Sequence, residues 1–175
     1  MNKSYRSKEE YYFQLYLDEL VQAGYVAKYS YEPRSYEIYP KQTYAATNQL
    51  KTKTKTIEKH LLASLTYTPD YQIEWTPKAH QFSSPYSLES TFWCDEDLYS
   101  HIDIKGSWNR NESHTKFSII QKAMWNKLGI YVQKIEPKKL FRDTFTPKKY
   151  LLTDKTNKAR KIAWETKTLE EYVNT

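Results

Sequence analysis

The spacing of apolar residues along this chain changes from helical to alternating and then back to helical. Residues 7–23 place apolar side chains at helical intervals. Several segments between residues 25 and 105 alternate apolar with polar residues, as strands with one buried face do. Helical spacing returns at residues 115–127, and a short strand follows at 130–135. The order helix, three strands, helix, strand predicts an α/β fold with a mixed central sheet flanked by helices.

Residues at the ends of the helical segments indicate where each helix begins and ends. Ser7 and Glu10 form a capping-box pattern at the start of the first helix, and Gly24 is suited to its end. A short helix is also expected at residues 168–173. The second long helix is expected to bury one apolar face, made of Phe117, Ile120, Met124 and Leu128.

The middle and the end of the chain are less regular. We expect residues 25–39 to form one bent strand or a hairpin, and residues 41–59 to form a loop or an edge strand. Residues 76–90 contain prolines and serines and are typical of a loop. The chain is divided into a core at residues 1–136 and a basic C-terminal extension at residues 137–175, which packs on the core or trails from it.

The charge balance and the cysteine count limit the expected partners. Lys and Arg number 27 against 21 Asp and Glu, which gives a formal net charge of +6. A basic surface favours polyanions, so nucleic acid is the expected partner, although solubility alone would also account for such a charge. The single cysteine, Cys94, disfavours disulfides and zinc and is typical of the cytoplasm. Neither a signal peptide nor a membrane segment is expected from the polar N-terminus and the short apolar runs.

Two short segments carry the residues suited to catalysis, Tyr-Thr-Pro-Asp-Tyr at 67–71 and His-Ile-Asp-Ile-Lys-Gly at 101–106. Strand alternation places the two isoleucines of the second segment on one face and His101, Asp103 and Lys105 on the other. Carboxylates hold Mg²⁺ through hard oxygen ligands, and a lysine stabilises charge on a phosphate. Asp103 and Lys105 therefore suit phosphodiester hydrolysis, with Asp70 as a second metal ligand. Alternatively, Asp103 and Lys105 form only a surface ion pair, and Asp70 is only a turn residue after proline.

Pro69-Asp70 followed by Asp103-Ile104-Lys105 resembles the motif of the PD-(D/E)-x-K nuclease superfamily. Asp103 follows Asp70 by 33 positions, which is longer than usual in that group, and the insertion at residues 76–90 accounts for the difference. The order of helices, strands and motifs along residues 7–135 resembles that of small phage endonucleases related to Holliday-junction resolvases. The resemblance implies a restriction-endonuclease-like fold.

The resemblance also implies a metal site. Mg²⁺, or alternatively Mn²⁺, would be held by Asp70, Asp103, the Ile104 carbonyl and an acidic residue of the first helix. Glu10 is the best match for that residue and Glu9 is the fallback, while the capping box alone would also explain Glu10. Lys105 would assist catalysis. Many relatives have Glu where this chain has Asp103, and the superfamily accepts both.

Basic and aromatic residues outside these motifs are the expected DNA contacts. Lysines alternate with threonines at 51–56, so in a strand they would share one face toward a phosphate backbone or would protect a sheet edge. Loop and helix residues after the second motif are further candidates for DNA contacts. The alternative is that they form an ordinary protein surface. The predicted DNA-binding residues are Lys51, Lys53, Lys55, Trp108, Arg110, Lys116 and Lys122.

Together these features predict a Mg²⁺-dependent endodeoxyribonuclease that acts on branched DNA or Holliday junctions in phage recombination or replication. A homodimer or a nucleoprotein complex is expected, because a junction presents two symmetric cutting sites. The alternatives are a restriction- or transposition-type nuclease on linear duplex DNA and a non-catalytic DNA-binding protein on the same fold. A phage-encoded enzyme would act in the host cytoplasm.

Overall fold

The computed structural model describes residues 5–85, 90–106, 112–154 and 156–174, with residues 112–114 described by their backbone alone. The helices are α1 (Lys8–Gln22), α2 (Glu112–Leu128), α3 (Pro137–Asp143) and α4 (Leu169–Val173). The strands are β1 (Val26–Tyr31), β2 (Tyr36–Tyr39), β3 (Gln42–Gln49), β4 (Thr54–Leu62), β5 (Leu65–Tyr67), β6 (Tyr71–Trp75), β7 (Ser83–Ser84), β8 (Phe92–Trp93), β9 (Tyr99–Ile104) and β10 (Val132–Ile135). Two short 3₁₀ helices span Pro77–Gln81 and Lys148–Leu151.

The central sheet has four strands in the order β1-β6-β9-β10. The β1–β6 and β6–β9 pairs are antiparallel, while β10 runs parallel to β9. Helix α2 makes the crossover that a parallel pair requires. The predicted α/β fold with a mixed sheet is therefore confirmed.

Helix α1 begins and ends where the sequence predicts. The Ser7 side chain accepts a hydrogen bond from the Glu10 amide at the N-terminus. Gly24 follows the helix with φ of +78°, a conformation that favours glycine. One face of the helix is buried in the main core, through Phe13, Tyr16, Leu17 and Leu20.

Four strands, β2 to β5, lie between β1 and β6 in the sequence and are not part of the central sheet. Strand β2 pairs with β5, and β3 pairs with β4 as a hairpin. The prediction of one bent strand or a hairpin at residues 25–39 is wrong, because β1 and β2 pair with partners in different sheets. Residues 41–59, predicted as a loop or an edge strand, form two edge strands and not one, because a turn closed by the Leu50 amide and the Lys53 carbonyl at 2.8 Å lets the two halves pair with each other.

Helix α2 covers a smaller cluster, in which Phe117 and Met124 are buried with residues of β2 and β10. The prediction for its last apolar position is wrong, because Leu128 is 40% exposed in the final turn, beyond that cluster. Within the described residues, no helix is both long and apolar enough to span a membrane.

The C-terminal segment packs against α1 through aromatic side chains. The ring of Phe145 stacks on that of Tyr16 with a centroid distance of 4.2 Å, and the Tyr16 hydroxyl lies 3.2 Å from the Thr144 hydroxyl. Phe141 and Tyr150 belong to the same buried cluster. Helix α4 begins after Thr168 with a capping box, so the helix predicted at residues 168–173 is confirmed.

Candidate active site

Asp70 and Asp103 lie side by side at the ends of two paired strands. Strand β6 pairs with β9 so that Tyr71 faces Ile102, which places Asp70 opposite Asp103. The Ile104 amide donates a hydrogen bond to Asp70 Oδ2 at 2.6 Å. This bond fixes the first carboxylate against the strand that carries the second one.

Asp103 is nearly fully buried, with 4% of its surface exposed; its Oδ1 accepts a hydrogen bond, while its Oδ2 has, among the described residues, only an ion-pair partner. The Tyr67 hydroxyl donates to Oδ1 at 2.6 Å. The Lys105 ammonium forms an ion pair with Oδ2. Lys105 also lies over the Phe117 ring, with Nζ 5.5 Å from the ring centroid. The alternation predicted for this strand therefore does bring Asp103 and Lys105 onto one face.

The surroundings of Asp70 make this carboxylate harder to ionise. Burial raises the pKa of Asp70 to about 7, and the negative charge of Asp103 adds to the effect. The Ile104 hydrogen bond acts in the opposite direction. A buried acid with such a penalty beside a second carboxylate is common in sites that bind a cation or a proton.

Glu10 lies close enough to the pair for its charge to contribute to the raised pKa of Asp70. It is 6% exposed, and its carboxylate accepts a hydrogen bond from the Tyr31 hydroxyl at 2.6 Å. The Arg6 amide and the Ser7 hydroxyl also donate to it, each at 3.0 Å. Glu10 thus takes part in the helix cap, and its charge also reaches the candidate site.

Glu9 lies on the same turn of α1, beside Gly106. A Cβ on Gly106 would lie 3.8 Å from the Glu9 carboxyl carbon, an ordinary van der Waals contact, so the two segments lie side by side. Both residues border a cleft of about 190 Å³ that also contains Lys105. Further basic side chains from the start of the C-terminal segment line this cleft, namely Lys138, Lys139 and Arg142.

His101 shares the strand face with Asp103 but packs inside the protein. Its Nε2 lies 2.9 Å from the Tyr36 hydroxyl and 3.4 Å from Gln72 Nε2. Burial lowers the pKa of His101, so the ring is held neutral. It therefore has a packing role beside the site.

The predicted DNA-binding residues fall into three groups. Lys51 and Lys53 lie in the turn of the β3–β4 hairpin, and Lys55 lies on β4, so the three do not share a strand face as expected for a single strand. Lys116 and Lys122 are exposed on α2. Trp108 and Arg110 lie outside the described residues.

Several residues of the site were not predicted from the sequence. Tyr67 approaches Asp103 only because β5 ends beside β6, which no local pattern indicates. Lys134 lies on β10 in register with Asp103, which requires the parallel pairing to be known. The one sequence signal for the cleft was the run Pro137-Lys138-Lys139, at the boundary assigned to the C-terminal extension.

Within the described residues, no three His, Cys, Asp or Glu side chains lie close enough together to hold one ion. The acidic part of the site is thus a pair, Asp70 and Asp103, with Glu10 further away. Comparison with models of known protein families, with curated proteins and with solved structures gave no match for this chain. Its function therefore has to be inferred from the residues themselves.

Proposed function

We propose that this protein is a metal-dependent endodeoxyribonuclease that hydrolyses phosphodiester bonds in DNA. The observation that carries the proposal is the pair of carboxylates from neighbouring strands, Asp70 and Asp103, with Lys105 ion-paired to the second. Hydrolysis of a phosphodiester needs acids that hold a divalent cation and a positive group that faces the phosphate. The basic cleft beside Lys105 supports the same substrate class.

The donor groups fit Mg²⁺, with Mn²⁺ as the alternative. Two carboxylates and the Ile104 carbonyl are hard oxygen ligands, and Mg²⁺ is usually held by one or two carboxylates while it keeps several waters. The raised pKa of Asp70 reflects burial and repulsion by Asp103, and a divalent cation would offset that repulsion. When bound, the ion would lower the pKa of a coordinated water and offset charge on the phosphate.

The protein's own groups would perform the remaining work. Lys105 is held beside Asp103 and would turn its ammonium group to a phosphate oxygen when DNA enters the cleft. Tyr67 holds the orientation of Asp103 through its 2.6 Å hydrogen bond. Glu10, on α1, would orient water at the edge of the site.

The order α1, β1, β6, β9, α2, β10 supports a restriction-endonuclease-like core. The segment from β2 to β5 would then be an insertion into that core. We extend the proposal to branched DNA and to a homodimer on the resemblance to phage resolvases. Comparing cleavage of a four-way junction with that of a linear duplex of the same sequence tests this part. Preferential cutting of the linear duplex would favour a restriction- or transposition-type enzyme.

The main test is cleavage of supercoiled and junction DNA by the purified chain with Mg²⁺ and with EDTA. Asp103→Asn should abolish cleavage and retain DNA binding. Asp97→Asn is the matched control, because Asp97 is an exposed acid in the turn before β9. Full cleavage by Asp103→Asn, or by the wild type in excess EDTA, would contradict the proposal.

The roles of the two acidic residues in the first turn of α1, Glu9 and Glu10, are distinguished by a matched pair of variants. Glu10→Gln should reduce cleavage more than Glu9→Gln, because Glu10 is the one whose charge reaches Asp70. The opposite order would assign the role to Glu9, beside Gly106.

A further inference from the structure

A cavity of about 520 Å³ lies between β8, helix α2 and the start of β10. The described residues that line it include none of the acids or the lysine of the candidate active site. Its volume is in the range of sites that bind small molecules.

Three aromatic side chains dominate its lining. The Trp93 ring centroid is 6.3 Å from that of Trp125 and 5.4 Å from that of Tyr131. The two outer rings stand nearly perpendicular to the Trp93 ring, at 87° and 73°. Trp125 leaves 52% of its surface exposed, so it offers a flat apolar face to a planar ligand.

Amide groups and one cation complete the lining. Gln121 is fixed by a hydrogen bond from its Nε2 to the Val132 carbonyl at 2.7 Å, and Asn126 is exposed near it. Among the described residues that line the cavity, Lys122 carries the only charge. Residues 115–128 of α2 contain three lysines and no acidic residue, so the surroundings favour an anionic partner.

We propose that this cavity binds an unpaired nucleobase of a DNA strand, which stacks on Trp125 while Lys122 contacts a neighbouring phosphate. The aromatic faces suit the base, the amides suit its hydrogen-bonding edge, and the lysine suits the backbone. An inorganic anion would not use the three rings, and an apolar ligand would not use Lys122. The inference rests on the proposed nuclease function for the identity of the polymer, and it would direct the enzyme to DNA with single-stranded segments.

The test compares two fluorescent probes by anisotropy with the full chain in EDTA, so that no cleavage occurs. One probe is a short oligodeoxyadenylate and the other is an abasic strand of the same length, which keeps the phosphates and lacks the bases. Since stacking on one aromatic side chain strengthens binding severalfold, the wild type should bind the base-bearing strand at least about fivefold more tightly.

Three variants assign the effect to the cavity. Trp125→Ala should remove most of the preference for the base-bearing strand, whereas Lys122→Gln should weaken both strands alike. Ile119→Ala is the matched control, because Ile119 is 60% exposed on the same helix and lies outside the cavity lining. It should keep the wild-type preference.

Equal affinity of the wild type for the two strands would overturn the inference, and this comparison needs no variant to fold. A folded Trp125→Ala protein that keeps the full preference would overturn it as well. A chain that prefers bases but cuts no DNA would contradict the nuclease proposal and leave the cavity as a base-binding site. A chain that cuts DNA but binds both strands equally would support the nuclease proposal and contradict base binding in the cavity.

Discussion

Asp70 occupies an environment that opposes its charge, and the consequence can be measured without DNA. Its pKa in the folded protein is about 7, above the ordinary value of 3.8, because of burial and the Asp103 charge. The folded chain therefore holds this proton more tightly than the unfolded chain does. The contribution of protonated Asp70 to the stability of the folded chain is complete below about pH 4 and is lost as the pH rises through about 7.

Asp70→Asn should remove this pH dependence in EDTA. We expect the variant to match the wild type near pH 4 and to be more stable near pH 8, by roughly 1–3 kcal/mol in the free energy of unfolding. Urea titrations at a series of pH values measure the difference. Asp97→Asn should give a curve parallel to that of the wild type, and an Asp70→Asn curve that is also parallel would contradict the raised pKa.

Tyr67 is expected to act on catalysis by positioning Asp103. Tyr67→Phe removes the 2.6 Å hydrogen bond to Oδ1 and leaves the packing of the ring intact. Loss of such a supporting contact usually reduces metal affinity or activity about 10- to 100-fold, so cleavage should fall and the Mg²⁺ concentration needed for half-maximal rate should rise.

Tyr36→Phe provides the control for that experiment. Tyr36 pairs with Tyr67 across the β2–β5 ladder, but its hydroxyl contacts His101 instead of a carboxylate. Cleavage by Tyr36→Phe should depend on Mg²⁺ concentration as it does in the wild type. Equal shifts in both variants would mean that the two hydroxyls act only through the fold.

At the level of secondary structure, what could be predicted from the sequence depends on how local each feature is. Alternation within β9 sufficed to place Asp103 and Lys105 on one face, and the caps sufficed to bound α1. The Asp70–Asp103 pair needed the motif as well, because the pairing of β6 with β9 spans a long insertion. The partner of β2 was mispredicted and that of β3 was not predicted, since alternation gives the faces of a strand but not its neighbour.

The β3–β4 hairpin is exposed on both faces, with only Ala46 and Ile57 partly buried. An isolated two-stranded ribbon is marginally stable, and its lysines contribute little to folding. Residues 42–62 carry four lysines and one glutamate, and Lys55 and Lys59 point to the same side of the ribbon through their partners Asn48 and Tyr44. The hairpin is thus an exposed, positively charged ribbon, and we propose that it lies against a phosphate backbone.

Replacing Lys51, Lys53 and Lys55 by alanine should weaken duplex binding with little change in thermal stability. Each lost phosphate contact lowers the slope of log affinity against log salt by about 1, so the slope should fall by up to about 3. A triple variant of exposed lysines elsewhere, at Lys78, Lys148 and Lys161, is matched in charge. If both triple variants lose the same affinity and slope, total charge and not the hairpin determines binding.

At the level of the whole molecule, α1 lies between the central sheet and the C-terminal segment. Phe145 is fully buried against Tyr16, and the same helix carries Glu10, whose charge reaches Asp70. Residues 137–175 therefore affect the site in two ways, since they hold α1 in place and supply basic side chains to the cleft beside Lys105.

Phe145→Ala tests the first of these roles. Removing a buried phenylalanine ring commonly costs about 3–5 kcal/mol, a large part of the roughly 5–15 kcal/mol by which a domain of this size is stable. We expect a loss of this size in urea unfolding, together with a fall in cleavage that increases with assay temperature. Leu152→Ala, at a leucine 43% exposed in the same segment, should change neither quantity appreciably. If Phe145→Ala instead unfolds like the wild type, the C-terminal segment does not stabilise α1, and its contribution to the site is limited to the basic side chains of the cleft.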